Sequence, residues 1–277
     1  PSPNLQCLSL GENGLKMIQR GEFQRNLLHK LKVLTLCFHI ESDTVFPYEI
    51  LQEVPNIEKL GVSRSSFKEI FCCQSPNNVD YTGLLLQLKA LHLDSLEDLV
   101  SIGFDNSWIE PFLRNLETLE VTSCSGLRNL TSSPVCFSNL ISLIITECHG
   151  LINLFMSSTA KSLARLKTMK VDKCESIQEI VSKERGESDD EDEQIIIFEK
   201  LQVLFLEELD QLRSFYPGNF TLHFPSLRRV YLINCPRMKT FSPSNKINST
   251  EWFSSTYVTP KRECDLNLAV RRTFEEN

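Results

Sequence analysis

Hydrophobic residues recur along this chain in one short phrase. Anchored on its first aliphatic residue, the phrase begins at Leu5, Leu31, Ile57, Leu88, Leu116, Leu140, Leu166, Leu201 and Leu227. Offsets 0, +3 and +5 are aliphatic or Met in all nine, as in Leu116, Leu119 and Val121 or Leu227, Val230 and Leu232. An apolar pair two residues apart predicts a short strand with one face buried and the other in solvent. Starts lie 24 to 35 residues apart, a period that points to stacked structural units. The two clearest copies, NLETLEVTSCSGLRNL (Asn115 to Leu130) and NLISLIITECHGLINL (Asn139 to Leu154), match at nine of sixteen positions.

Outside the strand, the residue three before the start is apolar in eight units, for example Phe137, Phe198 and Phe224. Offsets near +11 and +14 are also usually apolar, as in Leu127/Leu130, Leu212/Phe215 and Met238/Phe241. One such unit cannot bury these residues alone, whereas stacked neighbours make a continuous core. This is the leucine-rich repeat pattern, L-x-x-L-x-L-x-x-N/C-x-x-L. It predicts an α/β repeat fold: a right-handed curved solenoid with about nine parallel short strands on the concave face. Irregular loops and short helices are expected on the convex face. FPYEILQEV (Phe46 to Val54) places Pro47 for a helix first turn, and SSTAKSLARLK (Ser157 to Lys167) opens on capping hydroxyls.

Offset +8 carries Cys124, Cys148, Cys174 and Cys235, with Asn13 in the first unit; such side chains are expected to turn inward after the strand. His39, Ser65, Leu96 and Leu209 leave this ladder incomplete. Ten cysteines without a C-x-x-C pair do not form a tetrahedral metal cluster. Disulfides between consecutive units are sterically conceivable, but the spacing reads as buried thiols in a reduced, intracellular chain.

The pattern divides the chain into a solenoid over 1–244, beginning within the array, and a polar linker with a C-terminal capping helix over 245–277. In that helix Leu266, Val270 and Phe274 would form one apolar stripe. The formal charge of −7 is local: ERGESDDEDE (Glu184 to Glu193) holds seven acids and one Arg. That run is an insertion into the longest unit, either a solvated loop, a tether for a basic partner, or a flap toward Lys167, Lys170 and Lys173. The remainder is near neutral without a basic stripe, which argues against nucleic acid as main partner. No run of eighteen apolar residues suggests a membrane span.

No phosphate-binding loop, H-E-x-x-H helix or G-x-S-x-G elbow occurs, and the five histidines lack ligand spacing. No catalytic role and no cofactor are expected. Core positions being fixed, partner recognition falls to the solvent-facing strand offsets +1, +2, +4 and +6. Row +4 reads Ser9, Thr35, Gly61, His92, Glu120, Ile144, Lys170, Phe205 and Tyr231. It changes from small and neutral to large, charged or aromatic. With the neighbouring Lys167, Asp172, Glu207, Arg228, Arg229 and Ile233, this C-terminal end is the candidate partner-binding patch, since aromatics flanked by Arg make interface hot spots. Phe205 and Tyr231 packing only on each other is the competing reading.

The cysteine-bearing units, the lead-ins FSNL, FEKL and FPSL, and the closing DLNLAVRRTFEEN resemble plant intracellular nucleotide-binding leucine-rich-repeat disease resistance proteins, the coiled-coil subclass above all. The resemblance implies a cytoplasmic domain that recognises pathogen effectors, or host proteins they modify, and helps hold an adjacent nucleotide-binding switch off. ATP or ADP would be bound outside this chain. The substrate-recruiting domain of an F-box ubiquitin-ligase adaptor and an extracellular receptor ectodomain remain the alternatives.

Overall fold

The structure, a computed structural model, describes residues 5–22, 28–38, 46, 47, 49–71, 85–104, 109–131, 133–184, 194–242, 247–249 and 253–254. His39, the acidic run beyond Glu184 and the expected C-terminal helix lie outside these residues.

The nine predicted strands form. In repeat order they are Cys7–Leu10, Val33–Cys37, Lys59–Ser63, Ala90–Asp94, Thr118–Thr122, Ser142–Thr146, Thr168–Asp172, Val203–Glu207 and Arg229–Ile233. All pair in parallel, each with the next repeat, in one sheet. Like offsets pair throughout: Leu119 faces Leu143, which faces Met169. The sheet runs one strand beyond the repeat pattern, because Phe253–Ser254 pairs with Arg229–Ile233. No leucine phrase announces it.

Register follows from burial. From the second repeat to the ninth, offsets +3 and +5 are sealed from solvent, as with Leu119 and Val121, while their strand neighbours Thr118 and Glu120 are partly open. Sliding one strand by a residue would exchange these faces, so every repeat is held in phase by its neighbours. Side chains just before the phrase add a stitch between repeats. Asn56 donates to the His29 carbonyl, Asn115 to Leu86, and Asn139 to Arg114.

Behind the sheet the layer is mixed. Helices cover Glu12–Gln19, Glu49–Glu53, Glu110–Leu113 and Ser157–Lys161. The Ser157–Lys161 helix differs from expectation in its start: Met156 is the N-cap and no side chain caps it. Its hydroxyls brace the preceding repeat instead, Thr159 accepting from the Val135 amide and Ser162 from the Phe137 amide. After this helix the back layer turns to strand. Ile195–Ile197, Thr221–Phe224 and Ile247–Ser249 form a three-stranded parallel sheet. The β-branched and aromatic runs QIIIF and FTLHF favour extended backbone where earlier repeats have helix-compatible residues.

Phenylalanines fill the space between the two layers. Phe38 packs edge-on against Phe67, Phe104 against Phe137, and Phe198 stacks on Phe224 with centroids 5.1 Å apart. The inserted acidic run departs from this back layer. Glu184, at its start, accepts a hydrogen bond from the Ser158 amide, and Gln194, just past its end, accepts one from Lys161 Nζ. Both ends are thus fastened to the Ser157–Lys161 helix, behind the sheet from Lys170.

The cysteine ladder turns inward as expected. Cys124, Cys148, Cys174 and Cys235 are buried, and each thiol donates to the carbonyl two residues earlier. Asn13 does not join them; it lies exposed in the first helix, whose onset replaces the turn. The hydrogen bond to Cys148, and then burial, hold Cys124 and Cys174 above the usual thiol range. Burial pushes the Cys235 thiol up to about 11. Because Cys124, Cys148, Cys174 and Cys235 are shut from solvent, a thiol reagent at neutral pH is expected to modify exposed Cys7 quickly, Cys37 and Cys136 slowly, and these four only on unfolding. Rapid native modification of the four would show that the ladder does not face the core.

Candidate functional site

Rows on the open face of the sheet are set by parallel pairing, which places equal offsets roughly 4.8 Å apart. The pairing brings the +4 residues together in the order read from sequence, ending Ile144, Lys170, Phe205, Tyr231. Phe205 and Tyr231 rings lie 5.2 Å apart at a 45° tilt, and the Lys170 ammonium stands over the Phe205 ring at 5.2 Å. Both rings remain half-exposed, so their mutual packing leaves a face for a further contact.

The margins of this ridge carry opposite charge. Toward the strand starts, Lys167, Arg228 and Arg229 are exposed. Backbone bonds link the +1 residues repeat to repeat, so their sequence is also their order in space. In the first half that row alternates Lys32, Glu58, Lys89, Glu117, with Lys32 Nζ 2.8 Å from Glu58. The alternation neutralises itself. In the second half the row reads Ile141, Lys167, Gln202, Arg228 and itself holds no acid. Toward the strand ends, Asp172, Glu207 and Ile233 share the +6 row.

Asp172 departs from the expectation that offset +6 faces solvent. Its residue is only 7% exposed. Oδ2 takes Lys170 Nζ at 3.1 Å, while Oδ1 makes no hydrogen bond and is shut from solvent. An unpartnered buried polar atom costs roughly 1–3 kcal/mol, so folding alone does not explain this arrangement. Sequence reading also missed a pair in the middle of the face, His92 Nδ1 to Glu120 Oε2 at 2.9 Å. Both sit in the +4 row of adjacent repeats, so the repeat spacing already makes them neighbours.

Burial, and then the Lys59 ammonium, hold the His92 imidazole below its ordinary pKa; Glu120 offsets this only in part. The unfolded chain therefore takes up a proton near pH 6.5 that the folded protein resists, and stability falls as pH drops below that value. His92→Gln is expected to lessen the loss in melting temperature between pH 7.5 and 5.5. An equal loss in both proteins would remove His92 from the account.

Comparison with known proteins accords with this architecture. The family model for plant disease resistance protein RPS2-like leucine-rich repeats matches residues 4–136 and again 128–249. A candidate disease resistance protein of Arabidopsis thaliana, At4g10780, is 32% identical over 101 residues, which are 31% of this chain. The match spans 11% of that relative's own length. Among the described residues, no helix is long and apolar enough to cross a membrane. The repeats, their thiol ladder and the family match over nearly the whole array lead to one assignment: the chain belongs to the leucine-rich repeats of RPS2-like plant disease resistance proteins.

Proposed function

We propose that the C-terminal part of the open sheet face recognises a protein partner in plant defence, either a pathogen effector or a host protein that an effector modifies. The same face, in this proposal, contacts an adjacent nucleotide-binding switch and helps hold it off. The partner is a protein, the setting is intracellular, and any nucleotide is held outside this chain. The observation that supports the reading is the half-exposed Phe205–Tyr231 pair between the exposed cations Arg228 and Arg229 and the half-paired Asp172. Elsewhere on the face, charges answer one another along the rows, as Lys32 does Glu58 and His92 does Glu120. Aromatic and Arg side chains give much contact area and bidentate bonding for little ordering cost, so they carry binding energy.

The test is the triple variant Phe205→Ala, Arg229→Ala, Tyr231→Ala in the full-length protein. Recognition is expected to weaken, or resting activity to rise, while the thermal stability of the repeat domain falls far less than on a core truncation. A folded triple variant with normal recognition and a normal resting state would exclude this face.

A further inference from the structure

The half-satisfied Asp172 carboxylate is the feature of the patch that neither the repeat nor the fold requires. Its counterparts in the +6 row are Thr146 on one side and Glu207 on the other, and neither supplies a donor to Oδ1. Lys170 cannot satisfy both oxygens in its observed pose. An ammonium is a point charge on a flexible stem, and here it is shared between Oδ2 and the Phe205 ring. A guanidinium is a planar fork that meets both oxygens of a carboxylate at once and stacks on an aromatic face. Phe205 lies beside Lys170 in register, and Glu207, half-exposed and without a salt bridge among the described residues, lies beside Asp172.

We infer that Asp172, with Phe205 and Glu207, is a receptor for an arginine side chain of the protein partner, and that Lys170 is its displaceable placeholder. This rests on the reading of the patch given above and specifies the chemistry the partner must present there. Entry of the arginine lifts the Lys170 ammonium from Oδ2. The carboxylate then turns so that both oxygens accept, the guanidinium lies over the Phe205 ring, and Glu207 adds the second negative charge. The freed ammonium can return to solvent, because the Lys170 side chain is already about a third exposed (36%). The exposed cations Arg228 and Arg229 at the opposite margin set the orientation, since they favour an acidic group on the partner about the width of the strand row away.

The test titrates N-acetyl-arginine amide, N-acetyl-lysine amide and N-acetyl-citrulline amide into the chain. Backbone amide NMR shifts of residues 170–173 and 205–207 are the readout. Saturable shifts from the arginine probe, at least about fivefold tighter than from lysine or citrulline, are expected from the fork geometry. Asp172→Asn should abolish that preference, and Lys170→Met should tighten arginine binding by about threefold or more, since the placeholder is gone. Equal binding of the three probes, no shift with any of them, or an arginine preference that survives Asp172→Asn overturns the inference. So does Lys170→Met leaving arginine binding unchanged, a result that is informative even where Asp172→Asn does not fold. If the arginine receptor fails while the triple variant still loses recognition, the patch stands and only its proposed ligand chemistry falls.

Discussion

Phe215→Ala is expected to lower folding stability by about 3–5 kcal/mol, the range for truncating a fully buried phenylalanine. Phe215 lies at the centre of the aromatic stack in the last repeats. Its ring is parallel to that of Phe241 at 4.8 Å and meets Phe198 and Phe224 edge-on, each at 5.7 Å. Removing it opens a cavity walled by three other rings, which backbone pairing in both sheets prevents from collapsing. Its amide also bonds the Phe241 carbonyl, so the side chain supports the contact between consecutive repeats. In a solenoid each unit touches only its neighbours, and the loss should concentrate in the C-terminal repeats. Urea unfolding with hydrogen exchange resolved by repeat would measure both the size and the place. Phe205→Ala is the control, because its ring is half-exposed on the open face and truncation there should cost about 1 kcal/mol or less. Equal losses from the two substitutions would show that the layer assignment is wrong.

Gly103→Ala is expected to destabilise by about 2–5 kcal/mol through backbone sterics. Gly103 has φ +83°, and a Cβ placed there would lie 1.8 Å from the Phe71 carbonyl oxygen of the preceding repeat. Phe71 is itself anchored on this side, since its amide is bonded to the Ile102 carbonyl at 3.0 Å. Phe71 itself is wedged against Phe104 and Phe112. Alanine therefore meets two penalties at once, a left-handed backbone and a clash with a carbonyl of the preceding repeat. Gly21 provides the comparison: its φ is +73° but a Cβ there meets nothing within 4 Å, so Gly21→Ala should show the conformational part alone. Thermal melts of the two variants separate the contributions. Gly103→Ala matching Gly21→Ala would mean that the close approach between repeats is not rigid.

The candidate patch was legible as a row but not as chemistry. Equal offsets in a parallel array become neighbours, so Lys170, Phe205 and Tyr231 could be aligned by counting. What counting could not give is which side chains answer each other. Asp172 and Lys170 are two residues apart on one strand, and their pairing depends on where Phe205 of the next repeat leaves room for the ammonium. The continuation of the sheet at Phe253–Ser254 was illegible for another reason: backbone hydrogen bonds carry no sequence signature when no apolar pair marks the strand.

The sequence by itself determined the strand positions, the stacking and the burial of the thiols, because an apolar pair every repeat has only one way to leave water. The tertiary structure decided the turn that follows each strand. In seven consecutive repeats the residue at offset +7 is left-handed, with φ between 51° and 56°: Arg64, Ser95, Ser123, Glu147, Lys173, Glu208 and Asn234. None is glycine, and only Asn234 is a residue type that favours this region, so local propensity argues against the conformation at the other six. The reason lies in the next repeat. The amide of each of the first six donates to the +6 carbonyl of its neighbour, as Ser123 does to Thr146 at 2.9 Å and Glu147 to Asp172 at 3.0 Å. The turn also sends the +8 thiol inward to its own carbonyl. A hydrogen bond to the neighbouring repeat and a buried side chain together outweigh roughly 1–2 kcal/mol of left-handed strain per residue. Neither partner exists until the repeats have stacked.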